Sequence, residues 1–254
     1  MLNLRAGLVI AGLAAAFVSP ILARADAQSD ATTLVYSFTY SADQSVTARD
    51  ANQSAEAVQT DLITGGTNGI SHYGGKLDDK GTMTVQVIGK PQADGGQVVT
   101  ISEAGENTRR APAATCVVYG NTHVICDPNK TVYTEEYTLL RFLGSKFVDP
   151  NALDKNKHWQ VSQDSPALDA TADYVIQSNN NGAMQIAETR KLRQVGGGSL
   201  TTDIQTKIGY DMNKSLPTSV DEYVTQRHDN GVQGTSTTIY QTTLHIVSDT
   251  MAKT

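Results

Sequence analysis

The sequence predicts a mainly β protein: a long antiparallel meander forming a curved sheet, either a half-barrel or a closed barrel, with one or two short helices. Apolar and polar residues alternate along several segments, which is typical of strands with one buried face. Short polar turns separate these segments and favour pairing between strands that are neighbours in sequence. The chain is also rich in Thr, Val, Ile and Tyr, which suit a pleated, half-buried surface.

The first 27 residues predict a secretory signal peptide. Arg5 supplies a positive charge, an apolar run covers 6–22, and a small-x-small cleavage site lies at 25–27. The alternative, a membrane anchor, is disfavoured because the run is shorter than the ~20 residues that a spanning helix needs. No cysteine follows the run directly, which disfavours a lipid anchor. We therefore expect a periplasmic or secreted protein, with residues 28–254 forming a single β-rich domain.

The charge of the chain excludes some partners. Removing residues 1–27 changes the formal net charge from −6 to −7, without long charged runs. An acidic chain disfavours nucleic acid, which is bound mainly by neutralising phosphates, and it disfavours anionic lipid surfaces. No later segment approaches ~18 consecutive apolar residues, so we expect no membrane span in the mature chain.

The N-terminal half begins with the alternating segment 33–40, which places Leu34, Tyr36, Phe38 and Tyr40 on one face. The following stretch, 41–68, lacks a clear period and is expected to be a mobile insertion. The expected elements after it are a strand at 70–77, a turn at 78–81 with Gly81 at positive φ, a strand over 83–87, a turn at 94–95, a strand at 97–102 and a polar link at 103–114.

The two cysteines, Cys116 and Cys126, are expected to form a structural disulfide. They lie on two short segments around a three-residue loop, so a hairpin would place them opposite each other and within bonding distance. A closed loop of this size gives roughly 2–3 kcal/mol of stabilisation. A redox-active pair is the alternative, but catalytic dithiols usually have Cys-x-x-Cys spacing.

Residues 131–157 are expected to interrupt the strands with helix and loop. Thr134 is a candidate N-cap, Glu135 and Glu136 would lie in the first turn, and Gly144 is a candidate stop. Apolar residues at helical spacing favour a helix that plugs the end of a sheet over a functional lid.

The C-terminal part predicts a plain antiparallel meander. Its clearest strand alternates over 203–212, with Ile204, Ile208 and Tyr210 on the buried face. The expected strands are 158–163, 171–178, 183–194, 200–212, 219–228 and 235–248.

The sequence contains none of the common catalytic motifs, neither G-x-S-x-G nor H-E-x-x-H nor a nucleotide-binding glycine pattern. Its five histidines lack metal-ligand spacing, so we expect neither a metal nor a cofactor. Asp221 and Glu222 are adjacent on an expected strand and point to opposite faces, which excludes them as an acid–base pair.

An export signal, long antiparallel strands and a helical interruption before the last strands resemble the half-barrel domains of bacterial envelope lipoprotein carriers. They resemble still more closely other exported bacterial β proteins of this size. The resemblance covers residues 33–248 and is architectural, so it assigns no functional residues.

Three functions are compatible with these observations. The leading hypothesis is a non-catalytic binding or carrier protein for an apolar or amphiphilic small molecule; an equally compatible reading is that the same side chains fill a dry core. The second is a structural or interaction module that pairs with an envelope protein through strand 235–248 as a free edge. The third is a hydrolase whose residues, such as His158 or His245, meet only in space. The expected ligand-binding residues are Leu34, Tyr36, Phe38, Ile204, Ile208 and Tyr210.

Overall fold

A computed structural model describes most of the chain beyond the expected signal peptide. The described residues are 32–47, 73–106, 110–120, 122–144, 147–149, 151, 153, 157–165, 168–194, 199–229 and 234–250. The expected signal peptide and residues 48–68 of the expected insertion lie outside these ranges. Within them no helix is long and apolar enough to cross a membrane.

The described residues form eleven strands and one short helix. The strands are β1 (Thr32–Thr47), β2 (Tyr73–Ile88), β3 (Gln97–Gly105), β4 (Arg110–Val118), β5 (Val124–Cys126), β6 (His158–Ser165), β7 (Leu168–Asn180), β8 (Ala183–Gln194), β9 (Ser199–Asp211), β10 (Leu216–Asp229) and β11 (Thr235–Asp249). The helix α1 (Thr134–Leu140) lies between β5 and β6. The meander predicted from 158 onward is therefore confirmed, with strand ends differing by up to three residues.

All strands belong to one antiparallel sheet in the order β5-β4-β3-β2-β1-β11-β10-β9-β8-β7-β6. The described strands β5 and β6 are its two edges, so the sheet is open and not a closed barrel. It curls into a half-barrel, because Thr122 beside the edge strand β5 contacts Arg190 on β8 at 2.8 Å. β11 pairs with β1 on one side and β10 on the other, which places it in the middle of the sheet. This corrects the expectation that 235–248 is a free edge: the N-terminal strand covers it.

The first two strands are longer than expected. Residues 41–47 continue β1, and β2 runs without a break through the expected turn at 78–81. The reason is long-range pairing, since the β1–β2 ladder extends from Thr32 opposite Val87 to Val46 opposite Tyr73. Glycine is needed at position 81 because the backbones of β2 and β3 approach closely there, and not because φ is positive. An added Cβ on Gly81 would lie 2.0 Å from the Ala104 carbonyl oxygen on β3.

The expected cysteine hairpin is confirmed. Cys116 on β4 lies opposite Cys126 on β5, and the two form a disulfide. The Tyr119 N–H donates to the His123 carbonyl at 2.9 Å and closes the hairpin near its tip. The preceding polar link is shorter than expected, because β3 continues to Gly105 and β4 begins at Arg110.

Helix α1 packs on the concave face of the sheet, where it contacts β3, β10 and β11. Tyr133, one residue before the expected N-cap Thr134, is the N-cap, and its backbone N–H donates to the Glu136 carboxylate at 2.9 Å. The chain leaves the helix at Arg141 and passes Gly144, whose φ is 134°. The expected helical interruption thus lies against the inner face of the half-barrel.

The main core lies between helix α1, with the chain that follows it, and the half of the concave face that contains Leu34 and Tyr210. Phe147 is its centre, since its ring contacts those of Phe142, Trp159, Tyr174 and Tyr210 at centroid distances of 5.2 to 5.7 Å. Apolar side chains of α1 and of β1 belong to the same core cluster and are almost completely buried; they include Leu139, Leu140, Leu34, Tyr36 and Phe38. Burial of this many apolar side chains is the main force that holds the helix on the sheet.

Candidate functional site

A row of buried, largely polar residues crosses the concave face of the sheet. Each member lies directly opposite the next in the neighbouring strand, from β2 to β6. We call this set the polar row; it consists of Asp79, Tyr40, Thr242, Glu222, Thr206, Glu188, Tyr174 and Trp159. Every member is at most 7 % exposed. Buried carboxylates require charged or hydrogen-bonding partners, so this row demands an explanation.

Glu188 on β8 is the centre of the row's hydrogen-bond network. Its Oε1 accepts hydrogen bonds from Arg141 Nη1 at 3.0 Å, Tyr174 Oη at 2.8 Å and Arg190 Nε at 2.9 Å. Its Oε2 accepts one from the Thr206 hydroxyl at 2.7 Å. Burial alone would raise the pKa of this carboxyl, but the two arginines and the two hydroxyls together hold it below its ordinary value. Glu188 is therefore ionised at neutral pH.

Arg141 connects the helix to this network. It lies at the C-cap of α1, and its Nη2 donates to the Glu222 carboxylate on β10 while its Nη1 donates to Glu188 on β8. The Thr138 hydroxyl adds a hydrogen bond to Glu222 Oε1 at 2.7 Å. Burial opposes the charge of Arg141, but the Glu188 and Glu222 carboxylates outweigh it and raise its pKa above the usual value. One guanidinium thus bridges two carboxylates separated by the strand that carries Thr206.

The chemistry of this cluster is that of a structural ion network. A general base needs a free lone pair aimed at a substrate proton. The two carboxylate oxygens of Glu188 already accept hydrogen bonds from four donor groups. Burial raises the pKa of its partner Tyr174 to about 12, so the phenol stays protonated. Within the described residues, no group of three or more His, Cys, Asp or Glu side chains is placed to hold a metal ion.

A second row lies next to the polar row, one pleat closer to the end of the sheet that contains Thr47. Its members also lie opposite one another in successive strands. We call it the Arg190 row; it consists of Ala42, Tyr240, Val224, Ile204, Arg190, Ala172 and Val161. All members but Val224 and Ala172 are partly exposed. The polar row is thus buried while an almost wholly apolar row beside it reaches solvent.

Arg190 is the one charged member of its row. Besides its bond to Glu188, its Nη2 donates to Tyr174 Oη and to Thr122 Oγ1, each at 2.8 Å. Thr122 lies at the tip of the disulfide-closed β4–β5 hairpin and has a φ of 64°. The hairpin from one edge of the sheet therefore reaches across the concave face to β8, and this contact holds the Arg190 guanidinium in place.

The structure divides the expected ligand-binding residues between two environments. Five of them are at most 2 % exposed and belong to the packed core: Leu34, Tyr36, Phe38, Ile208 and Tyr210. Burial raises the pKa of Tyr36, whose hydroxyl donates to the Pro217 carbonyl at 2.8 Å. Ile204 differs, because it lies in the Arg190 row outside the core cluster and is partly exposed.

The sequence analysis missed the residues of the ion network. Glu188 and Glu222 occupy inner positions next to apolar inner residues of the same strand, as in Met184–Ile186–Glu188 and Val220–Glu222–Val224. Arg141 stands between Leu140 and Phe142 in the same way. A charged residue that interrupts an apolar face is the signal that would have identified them. Asp221 is exposed and Glu222 is buried, as their expected opposite orientation requires.

No protein-family model and no curated protein matches this chain.

Proposed function

We propose that the protein is a non-catalytic binding protein that holds an amphiphilic small molecule on the concave face of its half-barrel. The proposal rests on one observation: the burial of two adjacent rows is the reverse of what the polarity of their residues predicts. The ionic residues of the polar row are buried, whereas the apolar Tyr240 and Ile204 of the Arg190 row are partly exposed. Partly exposed apolar side chains inside a concavity gain free energy when an apolar chain covers them.

The two halves of the concave face differ in how far their apolar side chains are covered, and this difference supports the proposed function. Helix α1 and the chain that follows it fill one half, where apolar side chains such as Phe142 and Phe147 are almost completely buried. Ile204 and Tyr240 lie beyond the polar row and are partly exposed, and the core cluster does not include Ile204. The same surface therefore offers apolar side chains for a tail and, next to them, polar groups for a head group.

The disulfide between Cys116 and Cys126 indicates a location outside the cytoplasm, where thiols oxidise. Together with the expected signal peptide, it supports a periplasmic or secreted carrier. Amphiphiles need such carriers, because their tails are poorly soluble in the aqueous space between membranes.

The test is binding of an apolar fluorescent dye, phenylnaphthylamine, to the purified protein, followed by displacement with long-chain amphiphiles below their micellar concentrations. We expect dye fluorescence to rise on binding and to fall on displacement. Ile204→Gln should weaken dye binding about tenfold, since burying such a side chain is worth about 1.5–3 kcal/mol.

The matched control is Val175→Gln. Val175 lies on the opposite face of β7 from Tyr174 and is 43 % exposed, so the same loss of apolar surface occurs outside the concavity. This variant should bind the dye like the wild type. Absence of any dye binding, or equal weakening by both substitutions, would contradict the proposal.

A further inference from the structure

The Arg190 guanidinium has a donor group that the described protein does not use. Arginine has five N–H donors. Three of them are directed at Glu188, Tyr174 and Thr122 through Nε and Nη2. Among the described residues, none accepts a hydrogen bond from Nη1. Two donors of a fixed guanidinium are therefore left for a group outside the described protein.

The position of this group fits the head of an amphiphile. Arg190 lies directly opposite Ile204, and Val224 and Tyr240 continue the row on the next two strands. From β8 to β1 the row spans roughly 19 Å, because neighbouring strands lie about 4.8 Å apart. An acyl chain laid along this row would place its head group beside Arg190 and its tail over the apolar members.

We propose that the bound molecule carries an anionic oxygen head group, a carboxylate or a phosphate, which accepts hydrogen bonds from Arg190 Nη1. The inference rests on the proposed function, because it names the chemical class of the ligand in the same concavity. Guanidinium groups favour carboxylate and phosphate oxygens, since both charge and fork geometry match.

The charges around Arg190 also bear on the alternative ligand, an amphiphile with a cationic head group. Arg141 and Arg190 face Glu188 and Glu222, and Arg141 contacts both carboxylates while Arg190 contacts Glu188 alone. Arg190 is the more exposed of the two arginines, at 13 % against 3 % of the side chain. A head group arriving from solvent therefore meets a cation first. A cationic head group would have to displace Arg141 to reach the carboxylates.

The three existing hydrogen bonds add pre-organisation. They fix the plane of the guanidinium before any ligand arrives, so less side-chain entropy is lost on binding. The β4–β5 hairpin contributes one of these bonds through Thr122 and is itself closed by the disulfide. Arg190 is thus held ready as a positioned donor.

The test uses the fluorescence of Trp159, the one tryptophan in the sequence. Its ring stacks on Tyr174 with centroids 4.9 Å apart, and the Tyr174 hydroxyl contacts Arg190. The probes share one tail and differ in head group: dodecanoate, dodecyl phosphate, dodecyl maltoside and dodecyltrimethylammonium, each below its micellar concentration. Comparison of the first two separates a carboxylate ligand from a phosphate ligand.

We expect the wild type to bind one or both anionic probes at least about tenfold more tightly than the neutral maltoside, as a charge-assisted hydrogen bond predicts. Arg190→Gln should reduce the affinity for the anionic probes to about the affinity that the same variant has for the neutral maltoside. Arg190→Lys should retain part of the preference. The control Arg193→Gln removes the same charge from an exposed position of β8 and should change nothing.

The outcomes separate the two proposals. Equal affinity for anionic and neutral probes, or preference for the cationic probe, would overturn the head-group assignment and leave the amphiphile-binding function standing. No binding of any probe would overturn both. The head-group comparison is made on the wild type, so it decides the matter even if Arg190→Gln fails to fold, and circular dichroism reports whether that variant is folded.

Discussion

Arg141 and Glu188 form a buried ion pair that joins the end of helix α1 to the middle of strand β8, with 3.0 Å between Arg141 Nη1 and Glu188 Oε1. The exposed fractions of the two side chains are 3 % and 0 %. Through Glu222 the same guanidinium also reaches β10. Because Arg141 crosses the strand between them, the pair fixes where the helical segment lies on the concave face.

Replacement of Arg141 should destabilise the fold strongly. Arg141→Met leaves the Glu222 carboxylate buried without its guanidinium, and loss of one partner of a buried pair costs about 3–5 kcal/mol. Urea unfolding followed by Trp159 fluorescence measures the loss. The control Lys80→Met removes an ion pair to Glu106 whose partners are each 63 % exposed, and it should cost less than about 1 kcal/mol.

A triple variant tests whether the buried network of Arg141, Glu188 and Glu222 has a purely structural role. Arg141→Met, Glu188→Met and Glu222→Met together remove the three charges of this triad and leave Arg190, which is 13 % exposed, and apolar replacement of a buried triad is often neutral or stabilising. We expect the triple variant to recover much of the stability that Arg141→Met loses. A triple variant less stable than Arg141→Met would show that the carboxylates are held mainly by other groups.

The lowered pKa of Glu188 predicts a defined pH dependence. Because the folded state holds this pKa below the ordinary value of 4.5, its contribution to stability is complete above that pH and disappears as the pH falls through the folded-state pKa. The difference in unfolding free energy between wild type and Glu188→Gln should therefore be largest at neutral pH and shrink below about pH 4.5. Urea titrations at several pH values measure it.

The control for this pH series is Asp221→Asn, one residue from Glu222 but exposed. Because this carboxylate is exposed, the variant should lie within about 0.5 kcal/mol of the wild type at neutral pH. A Glu188→Gln difference that stays constant down to pH 3 would show that Glu188 carries no pKa shift between the folded and unfolded states.

Gly81 should tolerate no larger residue. A Cβ there would lie 2.0 Å from a backbone oxygen of β3, and a backbone cannot move aside without breaking its ladder. We expect Gly81→Ala to cost about 1–3 kcal/mol or more in chemical denaturation. At Gly209 the nearest atoms are the hydroxyls of Ser219 and Thr218, at 2.6 and 2.8 Å, which can rotate. Gly209→Ala should therefore cost less, and the reverse order would refute the steric account.

The disulfide should stabilise the protein by about 2–3 kcal/mol, as loop closure over ten residues predicts. The double variant Cys116→Ala and Cys126→Ala should lose this amount in urea unfolding. Reductant should lower the stability of the wild type to the level of the double variant and leave the double variant unchanged. An equal effect of reductant on both proteins would show that it acts elsewhere.

The strands and the cysteine hairpin could be predicted because their signals are local. Alternation along 33–40 or 203–212 and the polar turns between strands are visible within short windows. The turn expected at 78–81 was wrong for the opposite reason: Asp78–Gly81 has turn composition, but pairing with a strand some forty residues earlier keeps it extended. Tertiary pairing outweighs local preference at such positions.

The polar row could not be predicted because it depends on register. Glu222, Thr206 and Glu188 become neighbours only once three ladders are aligned, and a shift of one residue would turn each side chain to the other face. Of the six expected ligand-binding residues, Ile204 alone lies in the Arg190 row. The sequence could not predict this, because the position of α1 on the sheet decides which apolar side chains of the concave face stay exposed.

The most direct test of the central claim is native mass spectrometry of the protein purified without detergent from its own host. We predict a species heavier than the mature polypeptide by the mass of one amphiphile, with a head group that carries a carboxylate or phosphate. The heavier species should be depleted in Ile204→Gln and retained in Val175→Gln. Detection of the unliganded mass alone, under conditions that preserve a known carrier–amphiphile complex, would contradict the account.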